Sequence, residues 1–338
     1  MLQIPVLVAG GAGYIGSHTA KALRQAGFLP VVIDNLITGN RWAVRFGPFL
    51  EGSIAGQAVV GKAIQEFGIQ SAILFAAHAY VGESTQFPAK YYRNNVCASI
   101  AFLDCLLASG VKTIVFSSSC SIYGIQQENP IREDSPKLPL SPYAETKLFL
   151  ENVLRWYGQA YDLRTVCLRY FNAAGADPDG EIGEWHDPET HLIPLTIQAA
   201  LGGPPLRIMG EDYPTPDGTA IRDYIHVTDL ADAHVRALHY LVEGGASAQF
   251  NCGAGVGHSV KQVVDMVEKI SGKSVPVLHV PRRQGDAPAL VADARRIRDV
   301  LGWTPRHSSL ATIVDTAWRW HSSRPLIQLA RPAIASDA

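Results

Sequence analysis

The chain has 338 residues, 47% of them hydrophobic and 18% charged, with a net charge of −2. This composition supports a large buried core and two lobes rather than several separate domains, and the near-neutral balance argues against nucleic acid or an anionic membrane surface as the main partner. The N-terminal Met1-Leu2-Gln3-Ile4-Pro5 lacks the basic region of a signal peptide, and no apolar run reaches the about 18 residues of a membrane helix, so the expected location is the cytoplasm. Cys97, Cys105, Cys120, Cys167 and Cys252 are odd in number and scattered, which predicts reduced core thiols rather than disulfides or a zinc site.

Residues 5–9 form a short apolar run, the pattern of a strand buried on both faces, and it ends in Gly10-Gly11-Ala12-Gly13-Tyr14-Ile15-Gly16. Small or apolar residues then recur at Ile15, Thr19, Ala22, Leu23 and Ala26, with Gly27 as a helix stop. In such a strand-turn-helix unit the glycines at 10, 13 and 16 allow a tight turn, close approach to a pyrophosphate and helix-on-strand packing. The next strand, 31–33, ends at Asp34, about 20 residues beyond the glycines. An acidic side chain there accepts hydrogen bonds from ribose hydroxyls and repels a 2′-phosphate, so the expected cofactor is NAD rather than NADP.

The alternation continues with a strand at 72–76, a helix over about 88–109, a strand at 113–116 leading into Ser117-Ser118-Ser119, a helix that begins at Tyr143, and a strand at 164–169. Strands separated by helices specify a doubly wound parallel α/β sheet with ligands at the carboxyl ends of its strands. The ends at Gly10, Asp34, Ala76, Ser119 and Phe171 therefore face one crevice. Within Ser141-Pro142-Tyr143-Ala144-Glu145-Thr146-Lys147, a phenol and an ammonium lie one turn apart on one helix face. A phenolate useful at neutral pH needs its pKa depressed by roughly 3 units, or about 4 kcal/mol. Lys147 supplies one positive charge toward that, and Ser119 falls where the helix begins. Tyr143 and Lys147 form the candidate acid–base pair, and Ser119 beside them reads either as a turn serine satisfying local backbone groups or as a further member of the site.

From Ala173 onward the pattern loosens into Gly-, Pro- and acid-rich loops at 175–189 and 210–219, the composition of binding loops or lids. A strand at 221–227, a helix at 229–242, a strand at 250–252 and helices at 259–270, 293–301 and 310–320 follow, and the tail from 322 is expected to fray. His186, Asp187, Glu189 and His191 crowd one loop, but their spacing fits no firm ligand pattern, so the expectation is a solvated loop without metal.

With these residues placed, the chain resembles the extended short-chain dehydrogenase/reductase superfamily, and within it is similar to the UDP-glucose 4-epimerase family over essentially its whole length. The likeness rests on the glycine motif through Ser17-His18, Val81-Gly82-Glu83-Ser84, Tyr91-Tyr92-Arg93-Asn94-Asn95-Val96, Ser117-Ser118-Ser119 and Tyr143 with Lys147. It extends through Arg169-Tyr170-Phe171-Asn172-Ala173-Ala174-Gly175, Asp212-Tyr213-Pro214-Thr215, Asp217-Gly218-Thr219 and Arg222-Asp223-Tyr224-Ile225-His226-Val227. The resemblance implies a Rossmann-type NAD-binding domain over residues 1–172, with a return over about 221–243, and a smaller mixed α/β lobe over 173–330 that binds a UDP-sugar. It implies reversible C4 epimerisation of UDP-glucose and UDP-galactose through a transient 4-keto intermediate, with tightly bound NAD regenerated each cycle. Tyr143 would take the proton of the sugar 4-hydroxyl and Ser119 would relay it, while Lys147 would bind the nicotinamide ribose and hold the phenol pKa down. Gly10, Gly13, Tyr14, Ile15, Gly16, Asp34, Asn35, Ser53, Ile54, Phe75, Ala76, Ala77, Asn94, Ser117 and Tyr170 would join Tyr143 and Lys147 around the cofactor. Asn172, His191, Leu192, Arg207, Met209, Arg222, Tyr224, Arg283, Asp286 and Leu290 would join Ser119 and Tyr143 around the substrate, with Arg222 and Arg283 suited to bidentate binding of the diphosphate. A homodimer through first-lobe helices, including the helix at 91–109, is implied as well.

The chain departs from the family pattern at Ser53, where many members place an aspartate for the adenine amine, at Ala79, where a lysine is common, and at His191, where an asparagine often contacts substrate. Leu290 stands where a tyrosine restricts the pocket to hexoses and a smaller residue admits N-acetylhexosamines, which makes UDP-N-acetylglucosamine a second expected substrate. Three rival readings compete with this one. A dehydratase would need a carboxylate pair beside Ser119, where Cys120-Ser121 stands. A UDP-pentose (xylose/arabinose) 4-epimerase would use the same machinery with a smaller C5 pocket, and a non-catalytic NAD-binding regulator would have no use for the Tyr143, Lys147 and Ser119 set.

Overall fold

The computed structural model describes residues 3–283 and 285–324. Strands β1 (Ile4–Ala9), β2 (Phe28–Asp34), β3 (Phe49–Glu51), β4 (Ser71–Leu74), β5 (Thr113–Ser117) and β6 (Arg164–Tyr170) alternate with helices. The short strands β7 (Asn172–Ala174), β8 (Leu206–Met209) and β9 (Ile221–His226) precede β10 (Ala248–Cys252), and β11 (Gly257–Ser259), β12 (Val277–Val280) and β13 (Ala289–Leu290) follow. Seven strands make one sheet in the order β10-β6-β5-β4-β1-β2-β3, with every pair parallel. Because side chains alternate along a strand, Val6 and Val8 join the core under helices Tyr14–Gln25 and Val227–Val242, while Leu7 and Ala9 join the opposite core with Phe102 and Leu154. Both faces are therefore covered, which is the doubly wound arrangement expected. Chain order reverses between β1 and β4, and their carboxyl ends open the crevice at that switch point.

The second lobe is built on β9, which pairs with β7, β11 and β13, and on the separate pair β8-β12. Its core packs helices Leu192–Ala200, Val260–Ser271 and Leu310–Ser322 around Ile197, Val263 and Ile313. Ser259 starts the middle helix with a capping box to Gln262, and left-handed Gly272 ends it. β9 lies in this lobe, whereas the helix Val227–Val242 and β10 return to the main sheet.

Three local features differ from the sequence reading. The strand at 72–76 stops at Leu74, because the N–H groups of Phe75 and Ala76 both turn to the Ala9 carbonyl, at 2.8 and 3.0 Å. The helix at 88–109 is interrupted by a π-helical turn over Tyr92–Cys97, which carries the fully buried Asn95. Cys97 is exposed and Cys105 half-buried, so only Cys120, Cys167 and Cys252 are core thiols; all five are free. Among the described residues no helix is long and apolar enough to cross a membrane. Of the tail expected to fray, residues 325–338 lie outside the described residues.

Candidate active site

The glycine turn sits at the carboxyl end of β1. Gly10 has φ +87°, and a Cβ there would stand 2.5 Å from the Ala76 nitrogen; one on Gly16 would stand 2.3 Å from the Gly10 carbonyl oxygen. Both positions require glycine for close packing. A Cβ on Gly13 would meet only the Gly10 oxygen, at 3.4 Å, so open space lies above it. Gly13 begins the helix Tyr14–Gln25 without a capping side chain, and the first-turn N–H groups lack intrahelical acceptors. A cradle of bare backbone at a helix N-terminus fits a dinucleotide pyrophosphate. Asp34, at the end of β2, is 8% exposed and accepts the N–H groups of Ala12, at 3.0 Å, and Leu36, at 2.8 Å, which fixes its carboxylate beside the turn. Asn35 and Ser53 are exposed on the loops after β2 and β3, with Ile54 buried behind Ser53. Phe75, Ala76 and Ala77 leave the end of β4 half-buried. The Tyr14 ring points away from the turn, and its hydroxyl donates to the Gly175 carbonyl at 2.6 Å. Tyr14 therefore joins the cradle only through its backbone.

Ser141 caps the helix Pro142–Tyr161 by accepting the Ala144 N–H at 3.2 Å, and Pro142 occupies its first turn. That start aims Tyr143 and Lys147 at the end of β5, where Ser119 stands; the three residues are 7%, 3% and 8% exposed. Burial drives the Tyr143 phenol well above its usual pKa, and its hydrogen bond with Ser119 pulls the other way. Burial also pushes the Lys147 ammonium down to about 7. Its Nζ donates to the Ser117 carbonyl at 2.7 Å and lies 5.8 Å from the centre of the Tyr143 ring. The expectation that Lys147 holds the phenol pKa down is therefore not met by the protein alone, because desolvation outweighs one ammonium that burial itself tends to neutralise. A second positive charge beside the phenol is needed to make it a base at neutral pH. The Ser119 hydroxyl accepts from Ser121 Oγ at 2.9 Å. Ser117 and Tyr170 join their hydroxyls at the neighbouring ends of β5 and β6.

The second lobe meets this trio through β9 and β13. Arg222 pairs in register with Leu290, and Leu290 packs on the cluster of Cys120, Ile122, Tyr123 and Phe171 beside Ser119. Burial pushes the Cys120 thiol up to about 12 while the Arg222 charge opposes it, so the guanidinium field reaches the residue next to Ser119. Arg222 donates to the carbonyls of Ile221 and Ala287, at 2.7 and 2.9 Å, and ion-pairs with Asp286. Asn172 is half-buried and donates to the Asp223 carbonyl at 3.0 Å; Tyr224 is buried. Arg207 and Met209 alternate onto one side of β8, and the exposed Arg283 lies against the Met209 sulfur. Leu192 opens the helix Leu192–Ala200, and His191 before it turns Nδ1 to Glu184 at 2.6 Å.

Against this geometry, residues 6–253 match the family model described as the NAD dependent epimerase/dehydratase family. The chain belongs to that family. It is 48% identical over 318 residues to a UDP-glucose 4-epimerase of Rhizobium leguminosarum bv. trifolii, covering 94% of this chain and 97% of the relative. The crystal structure of UDP-glucose 4-epimerase from Brucella ovis in complex with NAD superposes with a TM-score of 0.92 at 50% identity, covering 94% of this chain and 98% of that one. A UDP-glucose-4-epimerase from Stenotrophomonas maltophila, with bound NAD and formylated UDP-arabinopyranose, gives 0.92 at 38% identity, covering 95% and 98%.

Two groups of residues around this family fold escaped the sequence reading. Asn95 lies inside the Tyr91–Val96 stretch, where its sequence context assigns it no role. Its side chain accepts the His78 N–H at 2.8 Å and donates to the His78 carbonyl at 3.0 Å and to Thr146 Oγ1 at 3.2 Å, which ties the loop after β4 to the Tyr143 helix. The second group is the loop expected to be solvated. Glu184, His186, Glu189 and His191 bring one donor atom each within 4.8 Å of one another, and Glu184 is 2% exposed. Burial opposes the charging of both imidazoles, yet the two carboxylates raise His186 to about 9 and His191 to about 10. Glu184 was missed because its burial depends on the fold, two residues upstream of the visible His-rich stretch.

Proposed function

We propose that the chain interconverts UDP-glucose and UDP-galactose by oxidation and re-reduction at C4. The observation that carries this reading is the Tyr143 phenol buried beside Ser119, with Lys147 one turn on, at the strand ends beside an open glycine cradle. When bound there, NAD⁺ supplies the acceptor for the C4 hydride, the source of its return, and the positive charge that the buried phenol lacks. Tyr143 takes the proton of the 4-hydroxyl as the C4–H bond breaks and gives it back when the hydride returns, with Ser119 holding the same oxygen. Lys147 binds the nicotinamide ribose, and Asp34 the adenosine ribose. Arg222 and Arg283 hold the diphosphate, and Asn172, Tyr224 and Asp286 the uridine end. The 4-keto sugar is held loosely enough to present its other face. In this reading residues 1–172, joined by the helix Val227–Val242 and β10, form the NAD-binding part, and the rest of 173–330, with β9 at its centre, the UDP-sugar part.

Leu290 leaves the sugar pocket without the ring and hydroxyl of a tyrosine, which supports UDP-N-acetylglucosamine as a second substrate. A homodimer is proposed across the outer faces of the helices Ala98–Ala108 and Pro142–Tyr161, where Phe149 and Trp156 are 50% and 59% exposed. A cytoplasmic location fits a nucleotide-sugar substrate. The test incubates purified protein, without added NAD, with UDP-galactose and separately with UDP-N-acetylgalactosamine, and quantifies the C4 epimers by NMR. Conversion of both is expected, and Leu290→Tyr should lower the N-acetylhexosamine to hexose activity ratio by roughly tenfold or more. An unchanged ratio removes the role of Leu290, and no turnover of either sugar, even with NAD⁺ supplied, removes the functional reading.

A further inference from the structure

Glu184, His186, Glu189 and His191 stand apart from the proton-transfer trio, yet they converge as tightly. The separations are 3.3 Å for His186 Nδ1 to Glu184 Oε1, 3.7 Å for His186 Nδ1 to Glu189 Oε2, 3.5 Å for His191 Nδ1 to Glu189 Oε1, and 2.6 Å for His191 Nδ1 to Glu184 Oε1. A tetrahedral ion with bonds of about 2.0–2.2 Å spaces its donors by about 3.4 Å, and three of the four histidine–carboxylate edges, taken to the nearer Glu189 oxygen in each case, are close to that. The remaining edge is short, as expected when nothing holds two donors apart.

The orientation of the groups is the second observation. Glu184 Oε1 and His186 Nδ1 are buried and make no hydrogen bond of acceptable geometry, although Glu184 Oε1 stands at ion-pair distance from both imidazoles, 3.3 Å from His186 Nδ1 and 2.6 Å from His191 Nδ1. The Glu184 side chain is 3% exposed. A buried carboxylate oxygen and a buried imidazole nitrogen at ion-pair distance but without a well-formed hydrogen bond are better satisfied by a common partner between them. We propose that these four residues bind one divalent transition-metal ion of the zinc class.

Two imidazole nitrogens with two carboxylate oxygens match zinc, whereas magnesium and calcium take oxygen donors at six or more positions. Four protein donors also close the coordination shell, as in a structural site. Its position indicates what it holds. Tyr14 and Tyr80, both from the first lobe, pack edge-on against the His186 ring with centroids 6.3 and 6.2 Å away. His191 precedes the helix Leu192–Ala200. The main-chain carbonyl of Glu184 accepts the Trp320 indole N–H at 2.9 Å, and that of Trp185 accepts from Asn40 Nδ2 at 3.1 Å. The ion thus pins the segment 184–191 between Tyr14, Asn40 and Tyr80 of the first lobe and the helices Leu192–Ala200 and Leu310–Ser322 of the second.

The test uses the full chain without a polyhistidine tag, purified without chelator, and measures metal content by mass spectrometry. About one zinc-class ion per chain is expected. After chelator stripping, titration with Co²⁺ alone should give the intense visible bands of tetrahedral cobalt, saturating at one equivalent, and Zn²⁺ should displace them. His186→Ala and Glu184→Gln should lose the bands while keeping their far-ultraviolet circular dichroism; Asp187→Asn, exposed on the same loop, should keep them. If a variant misfolds, the wild-type titration still decides. Absence of stoichiometric metal together with no tetrahedral cobalt spectrum overturns the proposal and leaves two protonated histidines paired with the carboxylates. Bands that survive in both variants place the ion elsewhere and overturn it equally.

Discussion

Burial acts on Tyr143 and Lys147 in opposite senses, and each consequence is measurable. Tyr143→Phe keeps the ring and its packing but removes the proton carrier, so kcat should fall by roughly 10²–10⁴ while bound NAD, measured after denaturation, is retained. Equal loss of cofactor and rate would make Tyr143 a binding residue instead. Lys147, lowered to about 7 in the fold, titrates near 10.4 when unfolded, so between these values the unfolded chain holds a proton that the folded one has released. Stability of the cofactor-free protein should therefore rise with pH across that window, by up to about 1.4 kcal/mol per unit. Lys147→Met should lose this slope and be the more stable protein at pH 7, which urea titrations at several pH values would show. The i,i+4 spacing of this pair was legible in the sequence because helical periodicity alone puts both side chains on one face. The direction of the phenol shift was not, since desolvation depends on what the fold places around the ring.

The Tyr143 helix is anchored to the sheet by a buried polar network. Arg169, on β6, donates to both carboxylate oxygens of Glu151, at 2.9 and 2.6 Å, and Ser118 at the end of β5 donates to the same group at 2.6 Å. Arg169 also reaches the Tyr123 hydroxyl at 2.9 Å, and Tyr123 donates to Asn251 on β10 at 2.7 Å. With 4% and 7% exposure, neither charge of the pair can be left alone, so Arg169→Met should destabilise by about 3–5 kcal/mol in chemical denaturation. The double variant with Glu151→Leu should recover a large part of that loss; an additive outcome would show that the two residues act independently. Sequence pattern located the strands and helices that carry this network, because strands buried on both faces read as continuous apolar runs. It did not reveal the π-helical turn over Tyr92–Cys97, whose residues have ordinary helical patterning, nor that β10 closes the main sheet while β9 belongs to the second. Strand partnership depends on contacts between residues distant in the chain.

At the scale of the whole molecule, buried neutral histidines tie stability to acidity. Burial lowers His234 to about 4, with Nδ1 donating to the Leu230 carbonyl, and lowers His226 to about 3 against the opposing pull of Asp229. Both titrate near 6.5 when unfolded, so as pH falls below that value the unfolded chain gains protons that the folded one refuses. Stability should drop by up to about 2.8 kcal/mol per pH unit from the two together between roughly 6 and 4, and His234→Gln should halve the contribution. A flat denaturation midpoint across that range would contradict the burial assignment. The division into a doubly wound sheet and a loop-rich second lobe was legible in outline from the change in pattern at Ala173. The Glu184 cluster between the lobes was not, because convergence of a loop with itself leaves no periodic trace. The most direct measurement supplies UDP-galactose deuterated at C4 to the purified protein in ordinary water, without added NAD, and follows the label into UDP-glucose by NMR and mass spectrometry. Full retention of deuterium at C4 is expected, since the abstracted hydride is held and returned within the site. Loss of the label to solvent would contradict a C4 redox cycle on Tyr143, Lys147 and Ser119.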